Sequence, residues 1–163
     1  MKVDRVLVPL DGSPLAESAL ATAVEVARPV RATLMLVRAT EAHTFPGVDA
    51  TNAQVEAVQE AEGYLTGVAE RLGRQGVTGV ETSVWYGPAA ASIVEAARAR
   101  KADLIVMTTH GRGGLGRLIM GSVAESVLRG TTTPILLLRT AEAPITAPEG
   151  AAQARPAKER SHV

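Results

Sequence analysis

Five short runs of aliphatic and β-branched residues alternate along this chain with longer segments in which apolar residues recur three or four positions apart. Short apolar runs bounded by glycine, proline or charged residues are typical of parallel strands that are buried on both faces. We therefore predict an α/β fold: a single-domain, doubly wound, five-stranded parallel sheet of the Rossmann-like type, with strand order 3-2-1-4-5 and helices on both faces. The predicted strands span residues 3–10, 32–39, 80–86, 103–107 and 134–139.

Four helices are expected to connect these strands. Ser13 followed by Pro14 is an N-cap and first-turn pair, which predicts a first helix that runs to about residue 27. An irregular segment at 40–51 contains Phe45-Pro46-Gly47 and is interpreted as a loop. The other helices are expected at 52–72, at 88–101 and near 121–130.

The length and composition of the chain indicate one domain followed by a tail. A chain of 163 residues is long enough to bury one substantial core. We place the domain at residues 1–140, because the segment 141–163 consists mostly of Ala, Pro, Glu, Arg and Lys. Such a composition does not bury enough apolar surface to offset the entropy of ordering, so this tail is predicted to be disordered.

Charge and residue counts argue against several classes of partner. The 17 basic and 17 acidic residues leave no net charge to attract nucleic acid or an anionic membrane. Aromatic residues make up 2% of the chain, and the rings of Trp85 and Tyr86 are interpreted as packing near the third strand rather than as a base-stacking surface. No apolar run approaches membrane-spanning length, and the start of the chain lacks a signal-peptide core, so we expect a cytoplasmic protein.

Metal and thiol chemistry are not expected either. The chain has no cysteine, which excludes disulfides, thiolate nucleophiles and zinc sites of the cysteine type. Its three histidines, His43, His110 and His162, lack the spacing of metal ligands. No order of nucleophile, base and orienting acid is found around His110, so no catalytic residue is predicted.

A glycine-rich stretch, residues 107–123, contains the main candidate site. It follows the fourth predicted strand and leads into the start of a helix. Glycines let the backbone approach a ligand closely, and a helix N-terminus offers unpaired N–H groups and a partial positive charge. Arg112 adds a cation to this stretch. We predict an anion site here, with phosphate as the anion.

Two well-known phosphate motifs nearly match this stretch but fail on their context. Gly111, Gly113 and Gly116 have the spacing of the dinucleotide fingerprint, yet the next strand ends in Arg139 rather than in the acidic residue that holds a ribose. The same segment imitates a P-loop, but its last positions are Arg117 and Leu118 instead of lysine and a hydroxyl residue. Neither motif explains the stretch.

A third pattern fits better. Gly111 is followed by nine residues and then by Gly121-Ser122, and the first predicted strand ends in Asp11-Gly12-Ser13. From about Val3 to Arg139 the chain resembles the universal stress protein family, whose nucleotide-binding branch carries Gly-x-x-Gly, nine residues and Gly-Ser or Gly-Thr after the fourth strand. Thr108 stands where the first glycine of that motif is expected. A β-branched residue there requires an ordinary backbone conformation.

The resemblance implies which residues contact a nucleotide. The positions bordering its phosphates would be Thr108, Gly111, Arg112, Gly121, Ser122 and Val123. The positions bordering its adenosine would be Pro9, Asp11, Ala39 and Met107. For Asp11 a second interpretation stays open, because Asp-Gly-Ser-Pro forms turns by itself.

The resemblance also implies a function. We expect an ATP-binding, stress-response module that signals nucleotide occupancy to partners, with Mg²⁺ as a possible companion of the phosphates. One alternative is a slow ATP hydrolase, for which Asp11 is the single obvious base. The other alternative is a dimeric scaffold without bound nucleotide. Family members dimerise through the last strand, so a homodimer is expected through residues 134–139.

Overall fold

The computed structural model describes residues 2–41, 50–109 and 121–139 of the chain. Within them lies one five-stranded sheet in which every recorded strand pair is parallel. The order is β3-β2-β1-β4-β5, which confirms the predicted fold. The strands are β1 (Arg5–Pro9), β2 (Thr33–Thr40), β3 (Val80–Tyr86), β4 (Leu104–Thr108) and β5 (Ile135–Leu138).

Five helices are found in the described residues, one more than predicted, because the first predicted helix is divided. Ser13 caps the first piece as expected, and its hydroxyl accepts from the Ala16 N–H at 3.1 Å. Ser18 separates the two pieces, and its hydroxyl donates to the Leu15 carbonyl at 2.6 Å. The helices are α1 (Pro14–Glu17), α2 (Ala19–Val30), α3 (Ala50–Arg74), α4 (Ala89–Ala99) and α5 (Ser122–Gly130).

Two other helix boundaries differ from the prediction. Helix α2 continues past residue 27 to Val30 and ends where Arg31 adopts the left-handed conformation, φ 56, so that the Ala32 N–H donates to the Ala27 carbonyl at 3.0 Å. Helix α3 begins at Ala50, inside the segment that we interpreted as a loop. The rest of that loop, 42–49, and the predicted tail, 141–163, lie outside the described residues.

The sheet is covered on both faces, which the near-continuous apolar runs of its strands required. Alternate residues of each central strand enter different cores, so that Val6 and Val8 belong to one and Leu7 to the other. Helices α2 and α3 contribute to the first core, and α4 and α5 to the second. Each fully buried aliphatic side chain contributes about 1.5–3 kcal/mol to stability.

The two central strands β1 and β4 are fastened together at their amino ends. The Asp103 Oδ2 atom accepts from the N–H groups of Asp4 and Arg5, each at 2.9 Å. The Asp103 N–H in turn donates to the Arg5 carbonyl at 2.9 Å. One carboxylate therefore accepts the hydrogen bonds of two backbone N–H groups at the start of β1, next to the start of β4.

None of the described helices is long and apolar enough to cross a membrane. The cytoplasmic location expected from the sequence stays a prediction.

We predict that Asp103→Ala lowers the free energy of unfolding by about 1–3 kcal/mol, because it leaves two strand N–H groups without their acceptor. Asp103→Asn is the matched control, since its amide oxygen still accepts and its loss should be clearly smaller. Urea unfolding of the three proteins measures the difference. Equal losses in both variants would show that the carboxylate charge, and not the hydrogen bonds, fastens the strands.

Candidate functional site

The carboxyl ends of β1 and β4 extend beyond the recorded pairing of the two strands, and we call the space at these ends the crevice. The recorded pairing of these strands covers Val6 with Leu104 and Leu7 with Ile105. Beyond that point β1 stays paired with β2 up to Pro9, and β4 stays paired with β5 up to Thr108. The chain leaves these two strands toward opposite faces of the sheet, and ligands of such sheets bind at this switch point.

The N-terminus of α5 lies at the β4 side of this crevice. Gly121 is its N-cap, and the Gly121 N–H donates to the carbonyl of Thr109, the residue that follows β4. Thr109 is itself held by a hydrogen bond from its N–H to the Leu138 carbonyl, 3.0 Å long. Glycine has no side chain to cap the helix, so the first-turn N–H groups of Ser122, Val123 and Ala124 offer donors to an anion.

The predicted phosphate residues divide into those that the structure describes and those that it does not. Ser122 and Val123 are exposed in the first turn of α5. Thr108 ends β4, and its side chain is buried. Its strand conformation is ordinary, as a β-branched residue requires. Gly111 and Arg112 lie outside the described residues.

Asp11 lies across the crevice, in the turn that follows β1. Its Oδ1 atom accepts from the Ser13 N–H at 2.9 Å, so the turn interpretation of this residue is correct. Gly12 has φ +83, a backbone conformation that residues with a side chain rarely adopt. The turn thus fixes the Asp11 carboxylate at the carboxyl edge of the sheet and uses one of its two oxygens.

The predicted adenosine residues lie along one face of the sheet at its carboxyl edge. Pro9 pairs with Val37. Leu7 pairs with Ile105, so the same register continued by two residues places Met107 beside Pro9. Ala39 lies two residues beyond Val37 in β2, nearer the carboxyl edge and on the same face of the sheet. Met107 is buried, whereas Pro9 and Ala39 are partly exposed. Together they form an apolar surface beside the crevice.

A polar cluster that sequence reasoning missed lies beside the turn at Gly12. We call it the Tyr64 cluster. The guanidinium of Arg38, in β2, lies over the Tyr64 ring at 5.0 Å and donates to Glu60 at 3.2 Å, both on α3. The same guanidinium would lie 3.9 Å from a Cβ built at Gly12. The cluster consists of Glu17, Arg38, Glu60, Tyr64 and Arg71.

Glu17 joins the Tyr64 cluster to α1. Its carboxylate accepts from the Tyr64 hydroxyl at 2.9 Å and forms an ion pair with Arg71. Burial raises the pKa of Tyr64, and the hydrogen bond to Glu17 raises it further. A charged residue inside an otherwise apolar strand, as Arg38 is in β2, was the signal in the sequence that pointed to such a cluster.

A cavity of about 230 Å³ lies at the opposite, amino edge of the sheet. Its walls include the C-terminal end of α2, with Arg28 and Arg31, and the segment from Gly76 to Gly79 after α3. Helix C-termini carry partial negative charge, which these arginines balance, so this cavity is a poorer place for an anion than the crevice. In the described parts of the chain, no three His, Asp or Glu residues are grouped to hold a metal ion.

A family model, a curated relative and a solved structure all match this chain to the same protein family. The universal stress protein family matches residues 2–139. A universal stress protein of Methanocaldococcus jannaschii is 32% identical over 142 residues, covering 83% of this chain and 81% of the relative. A solved structure from the same family in Burkholderia pseudomallei is 30% identical with a TM-score of 0.67, covering 84% of this chain and 96% of that one.

A further solved structure carries a ligand. It is a universal stress protein in complex with cAMP, 24% identical to this chain with a TM-score of 0.67. The match covers 85% of this chain and 98% of that one. At this identity the likeness shows a common fold.

We predict that the Tyr64 hydroxyl makes stability fall at alkaline pH. Unfolded tyrosine ionises near pH 10, whereas burial raises the pKa of Tyr64 in the folded protein. Above about pH 10 the unfolded state therefore binds fewer protons than the folded state, and the free energy of unfolding decreases. The contribution is fully present below about pH 10 and is lost as the pH rises through the folded value.

Urea midpoints between about pH 8 and about pH 11 measure this effect. Tyr64→Phe should flatten the alkaline decrease, and Tyr86→Phe, at the exposed second tyrosine of the chain, should leave it unchanged. Equal slopes in all three proteins would refute the prediction.

Proposed function

The chain belongs to the universal stress protein family, and we propose that it binds an adenine nucleotide, ATP, in the crevice between β1 and β4. The observation that carries this proposal is the uncapped N-terminus of α5, which the hydrogen bond from Gly121 to Thr109 holds at the end of β4. We further propose that nucleotide occupancy is the signal that this stress-response module passes to a partner protein.

In this proposal the phosphates lie against the first turn of α5. The backbone N–H groups there and the Ser122 hydroxyl donate to phosphate oxygens, and the partial positive charge of the helix adds to the attraction. Gly121 allows close approach because it has no side chain. The remaining phosphate contacts are assigned to Thr108, Gly111 and Arg112.

The adenosine lies across the ends of β1 and β2. Its contacts are Pro9, Ala39 and Met107, whose side chains are apolar and share one face of the sheet. The free oxygen of the Asp11 carboxylate accepts a hydrogen bond from the ribose. The solved universal stress protein that holds cAMP supports adenine as the base.

Binding is favoured over hydrolysis by the state of Asp11. The Ser13 N–H donates to one oxygen of this carboxylate and holds the carboxylate in the turn. A carboxylate held in this way is a poorer base for activating water than a free one. Mg²⁺, if it accompanies the phosphates, would be held mainly by the phosphates themselves, with Asp11 as an outer acceptor. Slow hydrolysis is the weaker alternative.

We predict that Gly121→Asp lowers ATP affinity at least tenfold, because it sets a carboxylate where the phosphates would lie. Aspartate is a good N-cap and fits the backbone of Gly121, φ −54 and ψ 142, so the helix itself should gain stability. Ser122→Ala should lower affinity about three- to tenfold through the loss of one hydrogen bond. Calorimetric titration with ATP measures both.

Ser126→Ala is the matched control, since Ser126 is an exposed serine one turn further along α5. Its affinity for ATP should equal that of the parent. Mass spectrometry of protein released from a native purification identifies what the parent holds. A parent that carries no nucleotide and does not titrate with ATP refutes the proposed function, whereas unchanged affinity in Gly121→Asp refutes the site.

We also propose that two copies of the chain pair through β5. Among the residues that the structure describes this strand ends the sheet, and its residues Ile135–Leu138 are all apolar and partly exposed. The Pro134 carbonyl accepts from Ile105 of β4 and the Leu138 carbonyl accepts from Thr109, which follows β4, so the N–H and C=O groups of Ile135 and Leu137 point away from β4. An open apolar edge of this kind is suited to pairing with another strand.

We predict that Leu137→Pro converts the dimer to a monomer, because proline removes the outward N–H while the bonds from β4 remain. Sedimentation velocity measures the change. An exposed-helix substitution, Leu128→Ala on α5, serves as the comparison and should leave the edge strand unaffected. A parent that sediments as a monomer, or a variant that remains a dimer, would contradict pairing through β5.

A further inference from the structure

Trp85 lies at the carboxyl edge of the sheet, on the face that carries the proposed adenosine contacts. It is the next-to-last residue of β3 and pairs with Ala39 of β2 in the parallel register. Paired residues of parallel strands project to the same face, so Trp85 continues the surface formed by Pro9, Met107 and Ala39. It is the single tryptophan of the chain.

The span across the sheet suits an extended nucleotide. Neighbouring strands are about 4.8 Å apart, so β3 lies about 14 Å from β4, beside which α5 begins. Phosphates at the N-terminus of α5 would set the ribose over the end of β1. The base would then reach the ends of β2 and β3.

The side chains at these two ends are complementary in size. Ala39 is small and partly exposed, which leaves space above the end of β2. Trp85 is partly buried and packs against the core that α4 and α5 cover. Its indole N–H donates to the Ser83 hydroxyl at 3.2 Å, which holds the ring in one orientation. A fixed indole beside a small residue forms a ready wall for a flat base.

The sequence alone assigned the Trp85 ring to packing near the third strand; from its position in the register we infer that the ring also contacts the adenine of the bound nucleotide and makes the site prefer purines. This inference rests on the proposed function, since it assigns the base contact within the same site. A purine extends further from its ribose than a pyrimidine and therefore reaches β3. Tyr86 has no part in the contact, because it follows Trp85 on the strand, projects to the opposite face and is exposed.

The test compares ATP, CTP and inorganic tripolyphosphate as probes, by calorimetric titration of the full chain. Trp85→Leu should weaken ATP binding about tenfold or more, because base stacking on an aromatic side chain is lost. Its affinity for tripolyphosphate, which has no base, should not change. The preference of the parent for ATP over CTP should shrink in the variant. In the parent, ATP but not tripolyphosphate should quench the tryptophan fluorescence.

Two further variants keep the result interpretable. Trp85→Phe retains an aromatic face and should keep most of the ATP affinity, whereas Tyr86→Leu changes the neighbouring ring and should keep all of it. Thermal unfolding of each variant verifies that it is folded. ATP binding that is unchanged in Trp85→Leu, or equal weakening of ATP and tripolyphosphate, overturns this inference and leaves the proposed function standing. Failure of the parent to bind ATP overturns both.

Discussion

The position of β1 between β2 and β4 is the constraint on which the rest of the structure depends. From β1 the chain winds outward through β2 to β3, then returns across the sheet to β4 and β5. Because such crossovers are right-handed, the helices of the two halves must cover opposite faces. The helices that follow β1 and β4 therefore lie on opposite faces, and the recorded pairing of these two strands stops before their carboxyl ends.

The sequence predicted this framework because the framework depends on local patterns. Buried parallel strands read as short aliphatic runs, and their alternation with helices indicates a parallel sheet; the order 3-2-1-4-5 was taken from the Rossmann type. The backbone at Thr108 was also predictable, since β-branching restricts it wherever it occurs. For Asp11 the sequence left two interpretations, a turn residue and a ligand contact. The hydrogen bond from the Ser13 N–H to its carboxylate shows that it forms the turn, and its second oxygen is still able to contact a ligand.

What the sequence did not predict depends on partners far apart in the chain. Arg38 and Tyr64 meet because α3 crosses β2, and no local pattern records that meeting. One local feature was missed as well: the first helix is divided at Ser18, whose hydroxyl donates to the Leu15 carbonyl. Charged groups thus lie beside the turn at Gly12.

The hydrogen bond between Gly121 and Thr109 has a consequence for how this site can change during evolution. It ties together the two ends of the segment 110–120, so the sheet and α5 keep their places whatever the length of that segment. Doubling the length of a closed loop costs only about 0.6 kcal/mol. Changes in the number of residues between Thr109 and Gly121 are therefore expected to cost the fold little, because this hydrogen bond still sets where β4 ends and α5 begins.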